Sequence, residues 1–177
     1  MTIHFGDSTS ITSGGSLGKI LQVVQTTYTG TATYYNIGQG GETGIPFYNR
    51  IFPSSTSSKI LVLCQISMDM STTHATFATL KRRIGSGSYT EPFVGDASGS
   101  RHRITSGQAD NTSSSVRNIS FMYVDTPNTT TQCDYGFTMS HNDNNTVHIY
   151  VGFSAQDSDH SYNPRSACSI ICAEIAG

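Results

Sequence analysis

The chain has 177 residues, of which only 12% are charged, a formal net charge of -2 and a sequence pI of about 6.3. That length allows one domain with a real core, and the charge excludes the broad basic field that duplex nucleic-acid binding needs. Ser and Thr make up roughly a quarter of the residues, well above ordinary usage, but the apolar residues come in concentrated runs, which excludes a disordered chain.

Residues 1–17 are polar, Gly/Ser-rich and aperiodic, and read as an N-terminal arm that becomes ordered on a partner. The opening Met1-Thr2-Ile3-His4-Phe5-Gly6-Asp7 has neither a basic segment nor an apolar one, so no secretory signal is expected. From Gly18 the pattern changes to short apolar runs separated by turn residues. Strands are predicted over 19–25, 27–36, 45–52, 59–70, 77–84, 117–125, 132–139, 147–153 and 167–175. In the strongest of these, Ile60, Val62, Cys64, Ile66, Met68 and Met70 fall on one face, with Leu61 and Leu63 opposite. Cys133, Tyr135, Phe137 and Met139 alternate inward, as do Val147, Ile149, Val151 and Phe153, leaving His148 and Tyr150 outward. No helical period and no internal repeat is visible, and no apolar run is long enough to cross a bilayer. The expected fold is all-β, a single jelly-roll-like β-sandwich over residues 18–177.

Strands that are apolar on both faces need two covers. The facing sheet supplies one, and a subunit interface in a closed oligomer such as a trimer supplies the other. The cysteines Cys64, Cys133, Cys168 and Cys172 lie in apolar or alternating segments and read as buried free thiols of a protein assembled in a reducing cytoplasm. Cys168 and Cys172, four residues apart on one strand, lie roughly 13 Å apart and are too far to bridge. Pairing of Cys64 with Cys133 or Cys168 stays open.

The chemical motifs are weak. Gly14-Gly-Ser-Leu-Gly18 has nucleophile-elbow spacing, but a strand and not a helix follows it. Gly38-Gln-Gly-Gly-Glu-Thr-Gly44 leads into Ile45-Pro46-Phe47 with no helix N-terminus to hold a phosphate, and reads as a glycine turn. The pairs Asp157/His160 and His141/Asp143 could supply metal ligands, yet they read as solvated loop tips, and no zinc signature is present. Asn111, Asn118, Asn128 and Asn144 head glycosylation sequons of the kind expected by chance at this Ser/Thr content. No catalytic residue, cofactor site or metal site is assigned. The one binding feature is aromatic: Tyr34, Tyr35, Tyr48, Tyr89 and Tyr150, in loops or on outward faces, could stack on sugar rings of a host-surface polysaccharide.

Several stretches together resemble a family of short virion proteins of marine and freshwater bacteriophages, including cyanophages, that are labelled tail-fibre-like or structural. They are Gly18-Lys-Ile-Leu-Gln-Val-Val-Gln25, Ser57-Ser-Lys-Ile-Leu-Val-Leu63, Gly95-Asp-Ala-Ser-Gly-Ser-Arg-His-Arg103, Ser120-Phe-Met-Tyr-Val-Asp-Thr-Pro127, Tyr162-Asn-Pro-Arg165 and Ser169-Ile-Ile-Cys-Ala-Glu-Ile175. The resemblance implies a trimeric, jelly-roll-like, non-enzymatic virion domain assembled in the host cytoplasm. It implies no catalytic residue, no cofactor, no nucleic-acid partner and no membrane insertion. In that setting residues 1–17 would dock onto other virion proteins, and the domain would serve as a tail-fibre knob touching host glycans. The chain departs from the family in its cysteines and in having no long fibrous shaft, which leaves room for a capsid decoration protein that clamps the shell.

Overall fold

A computed structural model describes residues 2–4, 10–12, 18–72, 74–108 and 116–177. The described residues form strands β1 (Thr2–His4), β2 (Ser10–Thr12), β3 (Ile20–Tyr28), β4 (Ala32–Ile37), β5 (Tyr48–Ile51), β6 (Lys59–Met70), β7 (Thr76–Ile84), β8 (Ser106–Gln108), β9 (Arg117–Asp125), β10 (Cys133–His141), β11 (Val147–Val151) and β12 (Cys168–Ile175). None of these residues is helical, and every strand pair is antiparallel.

Eight strands make two sheets, in the orders β3-β12-β6-β9 and β5-β10-β7-β8. Among these eight strands the chain passes between the sheets at almost every connection, and the first of them, β3, pairs with the last, β12. This is the strand order of a jelly roll. The two remaining domain strands, β4 and β11, pair with each other and extend the first sheet, because β11 also pairs with residues 68–70 of β6. Within residues 1–17 the short strands β1 and β2 pair as Thr2 with Thr12 and His4 with Ser10, which aperiodicity did not predict. The Gly14 nucleophile-elbow reading and the Asn111 sequon lie outside the described residues.

The alternation read from the sequence sets the core. Ile60, Val62, Ile66, Met68 and Met70 of β6 meet Tyr135, Phe137 and Met139 of β10, all fully buried. Each such side chain contributes about 1.5–3 kcal/mol through removal from water. All four cysteines are buried in this core as free thiols. Gly136 of β10 faces the other way, where a Cβ would lie 2.7 Å from Ile45 Cγ2, so close packing of the 38–47 segment requires glycine there.

Polar side chains tie the sheets together at their edges. Asn49 Nδ2 donates to Val24 O at 2.7 Å and to Ile170 O at 3.2 Å, linking β5 to β3 and β12. Glu174, on the inner face of β12, accepts from Gln22 Nε2 at 2.6 Å, Ser54 N at 2.6 Å and Ser54 Oγ at 2.7 Å.

Three expectations are corrected or refined. The single strand predicted over 27–36 is the end of β3, a turn, and most of β4, since Thr and Tyr favour strand but give no mark for the turn between them. Phe153 is buried, as expected, but lies outside the core cluster that holds Val147, Ile149 and Val151. Gly152, at φ 81°, breaks the alternation, and Phe153 packs edge-to-face on Tyr150 at 5.3 Å. Residues 106–108 form β8, a short edge strand with no apolar alternation to announce it.

Candidate functional site

The first sheet presents an apolar outer face. Strand register aligns Val23, Ala173, Leu61 and Val124 in one row across β3, β12, β6 and β9. The next row is Gln25, Ile171, Leu63 and Met122, and the one after it Thr27, Ser169, Gln65 and Ser120. No charged residue stands in any of the three rows. Val23 is 57% exposed, Met122 69% and Val124 48%, and a depression of about 530 Å³ lies between Leu63, Met122 and Ile171. Soluble monomers rarely leave a large contiguous apolar patch open to water. Leu61 and Leu63, expected to be covered on both sides, are half-buried here, with no part of the described chain lying over the face.

The five tyrosines separate into three environments. Tyr34 is not on an outward face: it pairs with Ile149 and packs against the core, where burial and then neighbouring Tyr28 push its phenol pKa up. Its neighbour Tyr35, 68% exposed, points outward and meets His148 edge-on at 5.2 Å. Tyr150 shares that outer surface, with its phenol pKa raised by burial first and then by Tyr35 and Asp69.

Tyr48 and Tyr89 converge instead on the outer face of the second sheet. Register places Arg50, Asp134 and Arg83 side by side, and both guanidiniums bind the fully buried Asp134 carboxylate, at 2.8 Å and 2.7 Å. Burial acts to raise the Asp134 pKa, but the hydrogen bonds from Arg50 and Arg83 outweigh it and hold the carboxyl below its usual range. Each guanidinium also lies over a tyrosine ring, Arg50 over Tyr48 at 5.5 Å and Arg83 over Tyr89 at 4.8 Å. The Thr90 to Arg82 bridge folds the 85–91 turn back along β7 and brings Tyr89 to this position. Lys81, the next residue on this face, is held by Glu42 at 2.8 Å and Glu91 at 2.6 Å. No local pattern announces the Arg50–Asp134–Arg83 network, because its members come from three strands distant in the chain.

A polar cavity of about 370 Å³ sits in the connection from β11 to β12, lined by Asp157, Ser158, Asp159, His160, Asn163 and Arg165. Arg165 forms an ion pair with Asp157 and lies over the Phe153 ring at 5.2 Å. His160 lies against Tyr162 at a tilt of 33°, with ring centroids 3.9 Å apart, and Tyr162 is 64% exposed. Among the ligand pairs considered, His141 is fully buried, with Nδ1 accepting from Asp143 N at 3.1 Å and Nε2 lying 2.9 Å from Ile37 O. Asp143 in turn accepts from Asn145 N at 2.9 Å and pairs with His74 at 3.1 Å, so this pair builds a loop. The 38–44 segment is a glycine turn as read, closed by Gly41 N donating to Gly38 O at 2.9 Å.

No family model matches the chain, and no curated protein matches it. Among solved structures, the chain is similar to a chain in the structure of the infectious bursal disease virus Gx strain, at 10% identity and a TM-score of 0.43. The match covers 88% of this chain and 37% of that one.

Proposed function

We propose that this protein is a non-enzymatic structural subunit of a bacteriophage particle, a homotrimer whose three jelly rolls meet through the outer face of β3-β12-β6-β9. The observation that carries the reading is the set of three uncharged rows on that face, one wholly apolar and a second apolar but for Gln25, with Val23, Met122 and Val124 open to solvent in the single chain. Adjoining rows without charge are compatible with their own copy, and closed association removes their apolar area from water at about 25 cal/mol per Å². The count of three and the virion setting come from the family resemblance. In this reading the chain is assembled in the host cytoplasm, residues 1–17 dock onto another virion component, and the exposed aromatics touch host-surface glycans as a tail-fibre knob does.

Analytical ultracentrifugation of the purified protein, together with peptide mapping of purified particles, tests the proposal. The expected result is a concentration-stable trimer and a virion-resident protein. A monomer across the accessible concentration range, or absence from particles, overturns it. Incubating the trimer with host cells and with particles lacking it assigns the role: adsorption to cells supports the knob, and restored particle stability supports capsid decoration.

A further inference from the structure

We propose that the β11–β12 connection, with the aromatic strip beside it, is a binding site for neutral saccharides carrying neighbouring free hydroxyls. The inference names a site and ligand class for the glycan contact proposed above, and rests on that part of the reading.

The cavity is the first observation. Its volume of about 370 Å³ lies in the small-ligand range of about 300–1,000 Å³. Every lining side chain is polar, and the set is mixed in the way adjacent sugar hydroxyls require. Carboxylates of Asp157 and Asp159 accept, and the Arg165 guanidinium and the Ser158 hydroxyl donate. Asp159 makes no hydrogen bond to the described residues, so its acceptors are open to a ligand. Two carboxylates face one guanidinium, itself paired with Asp157, which leaves no surplus positive charge for an acidic sugar.

The aromatic strip is the second observation. From the cavity wall, Arg165 covers Phe153, Phe153 meets Tyr150 edge-on, and Tyr35 meets His148 on the same outer surface. Exposed Tyr35 at this end and exposed Tyr162 at the cavity rim offer flat rings to the C–H faces of a pyranose. Of the residues singled out from the sequence as sugar-stacking, Tyr150 connects to the cavity through Phe153 and Arg165, and Tyr35 continues the same outer surface beyond it.

The loop is pinned before any ligand arrives. Asn163 Nδ2 donates to Ser158 Oγ at 2.6 Å, Ser154 Oγ donates to Gln156 O at 3.0 Å, and Ser166 N donates to Gly152 O at 2.8 Å. A preformed site loses little entropy on binding. Single-site affinity in such an open cavity is weak, and three copies per trimer raise it through effective concentration.

The test is a printed array of neutral and acidic microbial glycans, followed by titration of the ¹⁵N-labelled protein with methyl galactoside, methyl glucoside, methyl mannoside and glucuronate. The expected result is binding to neutral glycans, with saturable shifts confined to residues 153–166 and to Tyr35 and His148. Asp159→Ala and Tyr162→Ala, both exposed, should each weaken binding about tenfold or more while the rest of the spectrum is unchanged. Silence across the array, binding of acidic glycans alone, or shifts centred on Tyr48 and Tyr89 would each overturn the inference. Peptide mapping of particles reads the virion proposal separately, so a virion-resident protein that binds no neutral glycan sinks this inference alone.

Discussion

Tyr135 donates its hydroxyl hydrogen to Asp125 Oδ2 across 2.7 Å in the core. Arg82 reaches the same carboxylate through Nη1, at 2.9 and 3.0 Å from its two oxygens. A buried carboxylate on the last residue of β9 is thereby satisfied from β7 and β10, tying the two sheets together at one end of the sandwich. Burial, followed by the Asp125 contact, pushes the Tyr135 phenol pKa far above its ordinary value.

Removing members of this group should therefore have graded effects. Tyr135→Phe leaves Asp125 with its guanidinium partner and should cost about 1–3 kcal/mol, the range for a lost buried hydrogen bond. Arg82→Ala leaves a buried charge unpaired and should cost more than the tyrosine change. Urea unfolding followed by circular dichroism measures both, and equal losses would show that Arg82 contributes only packing.

Acid should weaken the domain through Glu174. Burial acts to raise its pKa, but hydrogen bonds from Gln22 and Ser54 outweigh this and hold the carboxyl at about 2. An unfolded glutamate titrates near 4.3. A depressed folded pKa stabilises above the unfolded value and loses that contribution as pH falls through the folded one. The Tm should therefore drop between about pH 5 and pH 2. Asp134 and Asp143, also held low, act in the same direction. Glu174→Gln should shrink the drop without abolishing it, and an unchanged acid profile in that variant would remove Glu174 from the account.

A charge on the outer face of the first sheet should separate the proposed trimer. Met122→Glu and Val23→Glu each put a carboxylate into an uncharged row, and both native side chains are exposed in the single chain. Sedimentation should show monomers whose far-ultraviolet circular dichroism is unchanged. Trimers surviving both substitutions would place the interface elsewhere.

The thiols should be silent in the native state. Burial pushes Cys133 up to about 11, with Asp125 adding to the rise, and Cys172 up to about 12, with Cys133 adding. Thiolate is the reacting form, so a thiol-specific chromogenic reagent should label none of the four quickly in buffer and all four in denaturant. Fast labelling of any one without denaturant would mean that the core opens locally around it.

Much of this architecture is legible in the amino-acid sequence, for a physical reason. Alternation over β6, β9 and β10 is imposed by a buried inner face, so the pattern of Ile60 to Met70 reports burial directly, and the predicted bounds of 59–70 and 117–125 coincide with the observed strands. Where a glycine changes the backbone direction, as at Gly152, alternation stops carrying information, and Phe153, though buried, leaves the cluster that its neighbours join. Tyr34 and Tyr35 illustrate the limit at single residues: two adjacent tyrosines must face opposite ways, and composition alone does not say which is inward. The Arg50–Asp134–Arg83 network and the cavity at 157–165 depend on strand order and loop path, which no local window contains.

The pairing of β3 with β12 has a consequence for synthesis. Ile20 lies opposite Ile175, and β12 sits between β3 and β6, so the middle of the first sheet is made by a segment synthesised long after both of its neighbours. Until that segment emerges, β3 has no neighbour and β6 lacks one of its own, and long-range pairing of this kind is slow to form. A nascent or C-terminally truncated chain therefore exposes two unsatisfied strand edges, and such edges recruit other chains. Synthesis of β12 thus controls when the domain folds, and chains cut short before it should be found in the insoluble fraction.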